Sequence, residues 1–243
     1  MLSRTLLLSA VVLLLTSPGF ARALSPEAQS CEADRIAPDE RVAACTKVID
    51  SGQDRGKNLA ADYGNRAVGF IAKKDLSRAR ADLDQAIKLA PDYMQAYYNR
   101  GNIARNTDDL DGAIADYSKA LSLDAKYVPA YVNRGIVWSK KNEWDRAIAD
   151  YTQALNIDSD DIIALYRRGQ AYTAKGSHDL AVADFDNAIK LDDTAEQLYF
   201  NRALALLAKG DRERGIADLR KALAINPTYE EAAAALKKAA GKS

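Results

Sequence analysis

The sequence predicts an all-α chain of stacked antiparallel helix pairs, and three observations carry that expectation. An arginine returns every 34 positions without an insertion, as Arg66, Arg100, Arg134, Arg168 and Arg202. Within each step the apolar residues fall at helical spacing, as Ile114, Tyr117, Ala120 and Leu121 do in "AIADYSKALSL". Short polar turns, "TDDL", "KNEW", "KGSH" and "KGDR", divide the steps into two helical halves. Self-similarity at such a period marks a repeat architecture, in which each unit buries its apolar face against its neighbours.

The first 23 residues read as a secretory leader. "MLSR" carries positive charge, "TLLLSAVVLLL" is an apolar run, and "TSPGFARA" ends in the small-residue pattern Ala21-Arg22-Ala23. That run is about half the ~20 residues a membrane span needs, so cleavage after Ala23 is expected rather than an anchor. The expected location is periplasmic or secreted, with no membrane span once the leader is removed. Lys plus Arg number 34 and Asp plus Glu 34; without Arg4 and Arg22 the balance is 32 against 34, near −2. Such a chain has no global electrostatic reason to bind nucleic acid.

Residues 24–59 read as a capping helix pair. Ser25-Pro26-Glu27 has the form of an N-cap followed by proline at the first helical position, and Pro38-Asp39-Glu40 has the form of a second start. The chain's two cysteines, Cys31 and Cys45, then fall one on each helix, and in an exported chain that suggests a disulfide. A loop of about 15 residues closed this way is worth roughly 3 kcal/mol in the chain-entropy model.

The five copies are set at 60–93, 94–127, 128–161, 162–195 and 196–229. A small residue follows each arginine (Ala67, Gly101, Gly135, Gly169, Ala203). Tyr63, Tyr97, Tyr131, Leu165 and Tyr199 stand three residues before it. Asp82, Asp116, Asp150, Asp184 and Asp218 each follow an arginine by sixteen residues. Pro91 and Pro227 mark the end of the second helix in two copies. Residues 230–243 complete a closing helix, "YEEAAAALKKAAG" from Tyr229, with a polar outer face.

In copy 94–127 the pattern runs Tyr97-x2-Arg100-Gly101-x2-Ala104, then Ala113-x3-Tyr117. It resembles the tetratricopeptide repeat (TPR), whose outline is W-x2-L-G-x2-Y, then A-x3-F, then P. The resemblance spans 60–229 and implies a superhelical solenoid whose first helices line a concave face. The family normally places leucine where this chain places arginine. Arginine together with an aspartate sixteen residues on points to structural ion pairs across each hairpin: Arg66–Asp82, Arg100–Asp116, Arg134–Asp150, Arg168–Asp184 and Arg202–Asp218. A ladder of anion-binding arginines is the alternative.

The resemblance also implies which positions face a ligand. Residues preceding the arginines are Asn65, Asn99, Asn133, Arg167 and Asn201; one step earlier come Tyr98, Val132, Tyr166 and Phe200; further along lie Asn102, Arg105, Ile136 and Gln170. Amides can both donate to and accept from a peptide backbone. Asn102, Asn133 and Arg167 match three places of the carboxylate clamp known in the family, but Tyr98 and Ile163 stand where it has lysines. The expected groove is therefore Tyr98, Asn99, Asn102, Asn133, Tyr166, Arg167, Gln170, Phe200 and Asn201.

No catalytic set is visible. The one histidine, His178, lies in the turn "KGSHD" and reads as solvent-facing. No His/Cys cluster, phosphate-cradling loop or nucleophile elbow is present, so no enzyme activity, metal or cofactor is expected. The expected role is a cell-envelope adaptor holding a protein or peptide segment. The rivals are a glycan-binding module using Tyr98, Tyr166 and Phe200 as stacking faces, and a structural protein that self-associates through its ends.

Overall fold

Thirteen helices and no strand form the described residues, 25–241, of the computed structural model. The expected leader lies outside them. Helix α1 (Pro26–Glu32) opens with the Ala28 N–H donating to the Ser25 hydroxyl at 3.1 Å. Helix α2 (Pro38–Ser51) runs back along it and ends at Gly52, whose φ of 62° lets its N–H close onto the Ile49 carbonyl. The Cys31–Cys45 disulfide joins the two helices with 4.7 Å between Cα atoms, fully buried beside Ala28, Ala44 and Val48. Arg41 donates to the carbonyls of Cys31, Ala33 and Asp34, which satisfies the open C-terminal end of α1.

Five hairpins follow. They are α3 (Gly56–Ala72) with α4 (Leu76–Leu89), α5 (Met94–Asn106) with α6 (Leu110–Leu123), α7 (Val128–Lys140) with α8 (Trp144–Ile157), α9 (Ile162–Ala174) with α10 (His178–Leu191), and α11 (Glu196–Lys209) with α12 (Arg212–Ile225). The first of these helices reaches back across position 60 and packs on α1 as well as α2. Helix α13 (Glu230–Ala240) closes the stack on α12, and Arg212 donates to its terminal carbonyls at Ala239 and Ala240. No helix among the described residues is long and apolar enough to cross a membrane.

The hairpin turns share one construction. Lys74, Asp108, Asn142, Gly176 and Gly210 all take a left-handed φ, between 59° and 94°. The N–H of the following residue then reaches back to a carbonyl in the last turn of the inner helix, as Asp109 does to Ala104 and Ser177 to Tyr172. Asp75, Asp109 and Asp211 also cap the next helix through their carboxylates. A helix ends and its partner begins within about three residues, which holds the two antiparallel.

Close approach of the two helices is set by the residue after each arginine. A Cβ added at Gly101, Gly135 or Gly169 would stand 2.6–2.9 Å from the ring of Tyr117, Tyr151 or Phe185 on the outer helix. Those rings are fully buried. Ala67 and Ala203 occupy the same slot in the end hairpins, where Leu83 and Leu219 fill the space instead.

The arginines form a spine. Each donates Nε and Nη2 to the two carboxylate oxygens of the aspartate sixteen residues on, at 2.7–2.9 Å. The third arm, Nη1, reaches the outer helix of the preceding unit: Arg66 to Thr46 (3.3 Å), Arg100 to Asp84 (2.7 Å), Arg134 to Ser118 (2.9 Å), Arg168 to Thr152 (3.1 Å) and Arg202 to Asp186 (2.6 Å). A rigid fork with five donors suits this three-helix staple, and lysine has no equivalent geometry. The aspartate bonds hold each of the five guanidinium pKa values above the usual range. Thr46 follows Cys45 as Ser118 follows Tyr117, so the capping pair enters the spine in the register of a repeat.

Candidate binding groove

Successive odd-numbered helices from α3 to α11 touch one another, whereas the even-numbered ones make no comparably extensive contact. The odd helices thus line the inner, concave face. Their side chains form two polar clusters related by a shift of 68 residues. In the first, on α5 and α7, the Asn133 amide donates to the Tyr98 hydroxyl and to Asn102 Oδ1, both at 3.0 Å. Tyr117 reaches the same Asn102 oxygen from the outer helix at 2.8 Å, and Arg105 donates to Asn133 Oδ1 at 3.2 Å.

The second cluster, on α9 and α11, repeats the plan with Tyr166, Gln170 and Asn201. Gln170 Nε2 donates to the Tyr166 hydroxyl at 2.9 Å, Asn201 Nδ2 to the same hydroxyl at 3.2 Å, and Arg167 to Gln170 Oε1 at 3.1 Å. The clusters fix side chains on adjacent repeats in mutual contact before any ligand arrives. Asn99 stands apart from both, half-buried, and its side chain meets no hydrogen-bonding partner among the described residues.

Between the clusters lies a pocket of about 510 Å³ lined by Ile136, Ser139, Lys140, Trp144, Tyr151, Arg167, Gln170 and Ala171. The Tyr151 and Ser139 hydroxyls are 3.2 Å apart at its wall. Burial pushes the Tyr151 hydroxyl up to about 12, with the Ser139 bond and the Arg167 charge pulling against it. Tyr117 is raised in the same way, opposed by Arg105.

Several positions differ from expectation. Val132 is buried in the core with Tyr151 and Ala164, since it turns under the face that Tyr98 and Tyr166 share. Tyr98, Tyr166 and Phe200, whose sequence positions allow either groove anchors or partly covered packing, are packed against other rings. Tyr98 meets Tyr127 edge-on at 5.0 Å, Tyr166 lies 6.2 Å from Phe185, and Phe200 lies 5.0 Å from Tyr229. Phe200 belongs to the packing beneath α13. Ile163 is 59% exposed. His178 begins α10 half-buried with Nδ1 shielded, rather than facing solvent. Sequence reasoning missed the outer-helix hydroxyls of Tyr117 and Tyr151, which reach the groove from behind. Their place in the aromatic slot opposite a glycine was the available signal.

A curved stack of helix hairpins with a preformed polar inner face defines a helical-repeat interaction scaffold. TPR-repeat models match residues 139–176 and 169–210, and tetratricopeptide-repeat models match 65–128 and 196–229. The chain belongs to the tetratricopeptide repeat family. Among solved structures it is similar to YrrB, described as a TPR protein with an unusual peptide-binding site, at 24% identity over 81% of this chain and 99% of that one (TM-score 0.71). It is similar to PilW, described as a widely conserved type IV pilus biogenesis factor, at 18% identity over 76% and 87% (TM-score 0.67). MamA from Desulfovibrio magneticus RS-1 is similar at 18% identity over 70% and 96% (TM-score 0.66). At these identities the likeness shows the fold. No curated protein matches the chain.

Proposed function

We propose that the chain is a non-enzymatic adaptor of the cell envelope that holds a protein or peptide segment along the concave face of α5, α7, α9 and α11. The observation that carries this reading is the pair of polar clusters, Tyr98/Asn102/Asn133 and Tyr166/Gln170/Asn201, each built across adjacent repeats. Side chains already held by one another lose little freedom on binding, and amide groups suit a peptide backbone in either hydrogen-bonding sense. The description of YrrB as having a peptide-binding site agrees with the reading. An envelope location is supported by the leader-like first 23 residues and by the buried Cys31–Cys45 disulfide.

Site-specific photo-crosslinking tests the reading. A photoreactive side chain is placed at Asn99, a position that the family resemblance assigns to the groove, and one at Gln153 on the exposed side of α8 serves as control. Crosslinks to a protein partner in source cells are expected from position 99 and not from 153. Equal labelling from both positions, or labelling from 153 alone, moves the binding surface off the concave face.

A further inference from the structure

The middle of the concave face is electropositive although the chain as a whole is balanced. Helices α5, α7 and α9 contain no aspartate or glutamate, while α4, α6, α8, α10 and α12 all carry acids. Five spine arginines spend their charge on the aspartates described above. Two others, Arg105 on α5 and Arg167 on α9, do not. Each bonds only a neutral amide oxygen, at Asn133 and Gln170, and no carboxylate among the described residues lies within ion-pairing reach. The Nε–H of each is shielded from solvent and meets no acceptor.

A buried guanidinium donor without an acceptor is costly, and an uncompensated positive charge in a half-buried site is more so. Arg167 also lies over the Tyr166 ring at 5.4 Å, but a ring face does not neutralise its charge, and Arg105 shows no such contact among the described residues. They stand on either side of α7, one in the first polar cluster and one at the wall of the 510 Å³ pocket. Apolar atoms of Ile136, Trp144 and Ala171 complete that pocket. Trp144 comes from the start of the outer helix α8, so the cavity is more than a groove surface.

We infer that the partner of this groove is an acidic segment. It carries two separated carboxylates, one met by Arg105 and one by Arg167, with a bulky apolar side chain beside the second seated in the pocket. The inference rests on the groove reading above and names the chemistry of its occupant. Carboxylates at both positions would compensate guanidinium charges that Asn133 and Gln170 already hold in place. Because the two guanidiniums flank a whole helix, the determinant is a pair of side-chain carboxylates along the segment and not a single chain end.

Selection from a random dodecapeptide library displayed on phage tests this without a known ligand. The parent chain is expected to enrich peptides bearing two acids and a large apolar residue, and synthetic winners should lose about tenfold in affinity for each acid replaced by its amide. An Arg105→Gln/Arg167→Gln variant, checked for unchanged helicity and unfolding temperature, should lose the preference for acid over amide. Single variants should each lose the preference for one of the two acids. A neutral or basic consensus overturns the acidic partner while leaving the groove reading in place. So does an acid preference that survives in the double variant. No enrichment over an unrelated bait removes both.

Discussion

In the three middle hairpins a glycine on the inner helix faces an aromatic ring on the outer one; in the first and last hairpins an alanine faces a leucine. The two solutions fill a similar volume at the same place in the register. They differ in what reaches the concave face. Tyr117 and Tyr151 pass their hydroxyls through to Asn102 and Ser139 on the inner helices. Leu83 and Leu219 have no hydroxyl to pass, and neither does Phe185, so the second cluster on α9 and α11 stands without a partner from an outer helix. Two of the rings that pack the middle hairpins therefore also meet the inner face from behind, whereas the leucines of the end hairpins only fill space, and the ends are closed by the disulfide with Arg41 at one side and by Arg212 on α13 at the other.

The largest effect should come from the element the two regions share. Asp150→Ala leaves Arg134 with its Nε and Nη2 donors stranded in a site where the aspartate side chain is 7% exposed, and should cost about 3–5 kcal/mol. Asp84→Ala removes only the third arm of Arg100, at a side chain 48% exposed, and should cost less than about 1 kcal/mol. Urea unfolding of both variants decides which arm holds the stack. Equal losses would mean that the contact between units matters as much as the bidentate pair.

An end-specific effect of about 3 kcal/mol is expected from Cys31→Ala/Cys45→Ala, whose disulfide closes a separation of 14 residues. In a solenoid each unit contacts only its neighbours, so the loss should be local. Amide hydrogen exchange should accelerate in α1 and α2 while α7 and α8 keep their protection. Uniform acceleration along the chain would show ends and middle to be a single cooperative unit.

Alkali should load the aromatic slot of the middle hairpins through Tyr151, while Tyr93 and Tyr199 in the cores of the end hairpins, also raised by burial, titrate in the same sense. Burial holds Tyr151 neutral up to about 12, against roughly 10 for an exposed tyrosine. A folded pKa above the unfolded one gives stability that is full below about pH 10 and lost as pH rises through about 12. The loss is on the order of 2 kcal/mol, with Tyr117 adding in the same direction. The leucines of the end hairpins have nothing to ionise. Tyr151→Phe should keep its helicity to higher pH than the parent in a circular-dichroism titration. Coincident curves would assign the alkaline transition to other groups.

Much of this architecture was legible because its determinants repeat in type. Arginine and aspartate sixteen apart, small residues after the arginine, and turn residues between the halves all keep one chemistry along the chain. The third arm of the spine was hidden because its acceptors change from Thr46 to Asp84, Ser118, Thr152 and Asp186, which share only a short oxygen-bearing side chain. The turns concealed a similar point. Lys74, Asp108 and Asn142 hold the left-handed φ that Gly176 and Gly210 advertise. In the groove, helical position alone placed Val132 beside Tyr98, since spacing gives the face of a helix but not which neighbour covers it.

The smallest of the effects that separate middle from ends is the most direct test of their contrast. Gly135→Ala would set a Cβ 2.6 Å from Cε1 of Tyr151, a fully buried ring. Overpacking of this kind costs about 1–3 kcal/mol, offset by up to ~1 kcal/mol because alanine is the better helix former. A net loss of about 1–2 kcal/mol is expected. In a Tyr151→Leu background the slot takes on the alanine–leucine form of the end hairpins, and the same substitution should become neutral or stabilising. The two positions would then show a coupling of at least ~1 kcal/mol in a double-mutant cycle followed by urea unfolding. If Gly135→Ala costs the same in both backgrounds, the glycines of the middle hairpins are not there to admit the rings, and the two regions differ for some other reason.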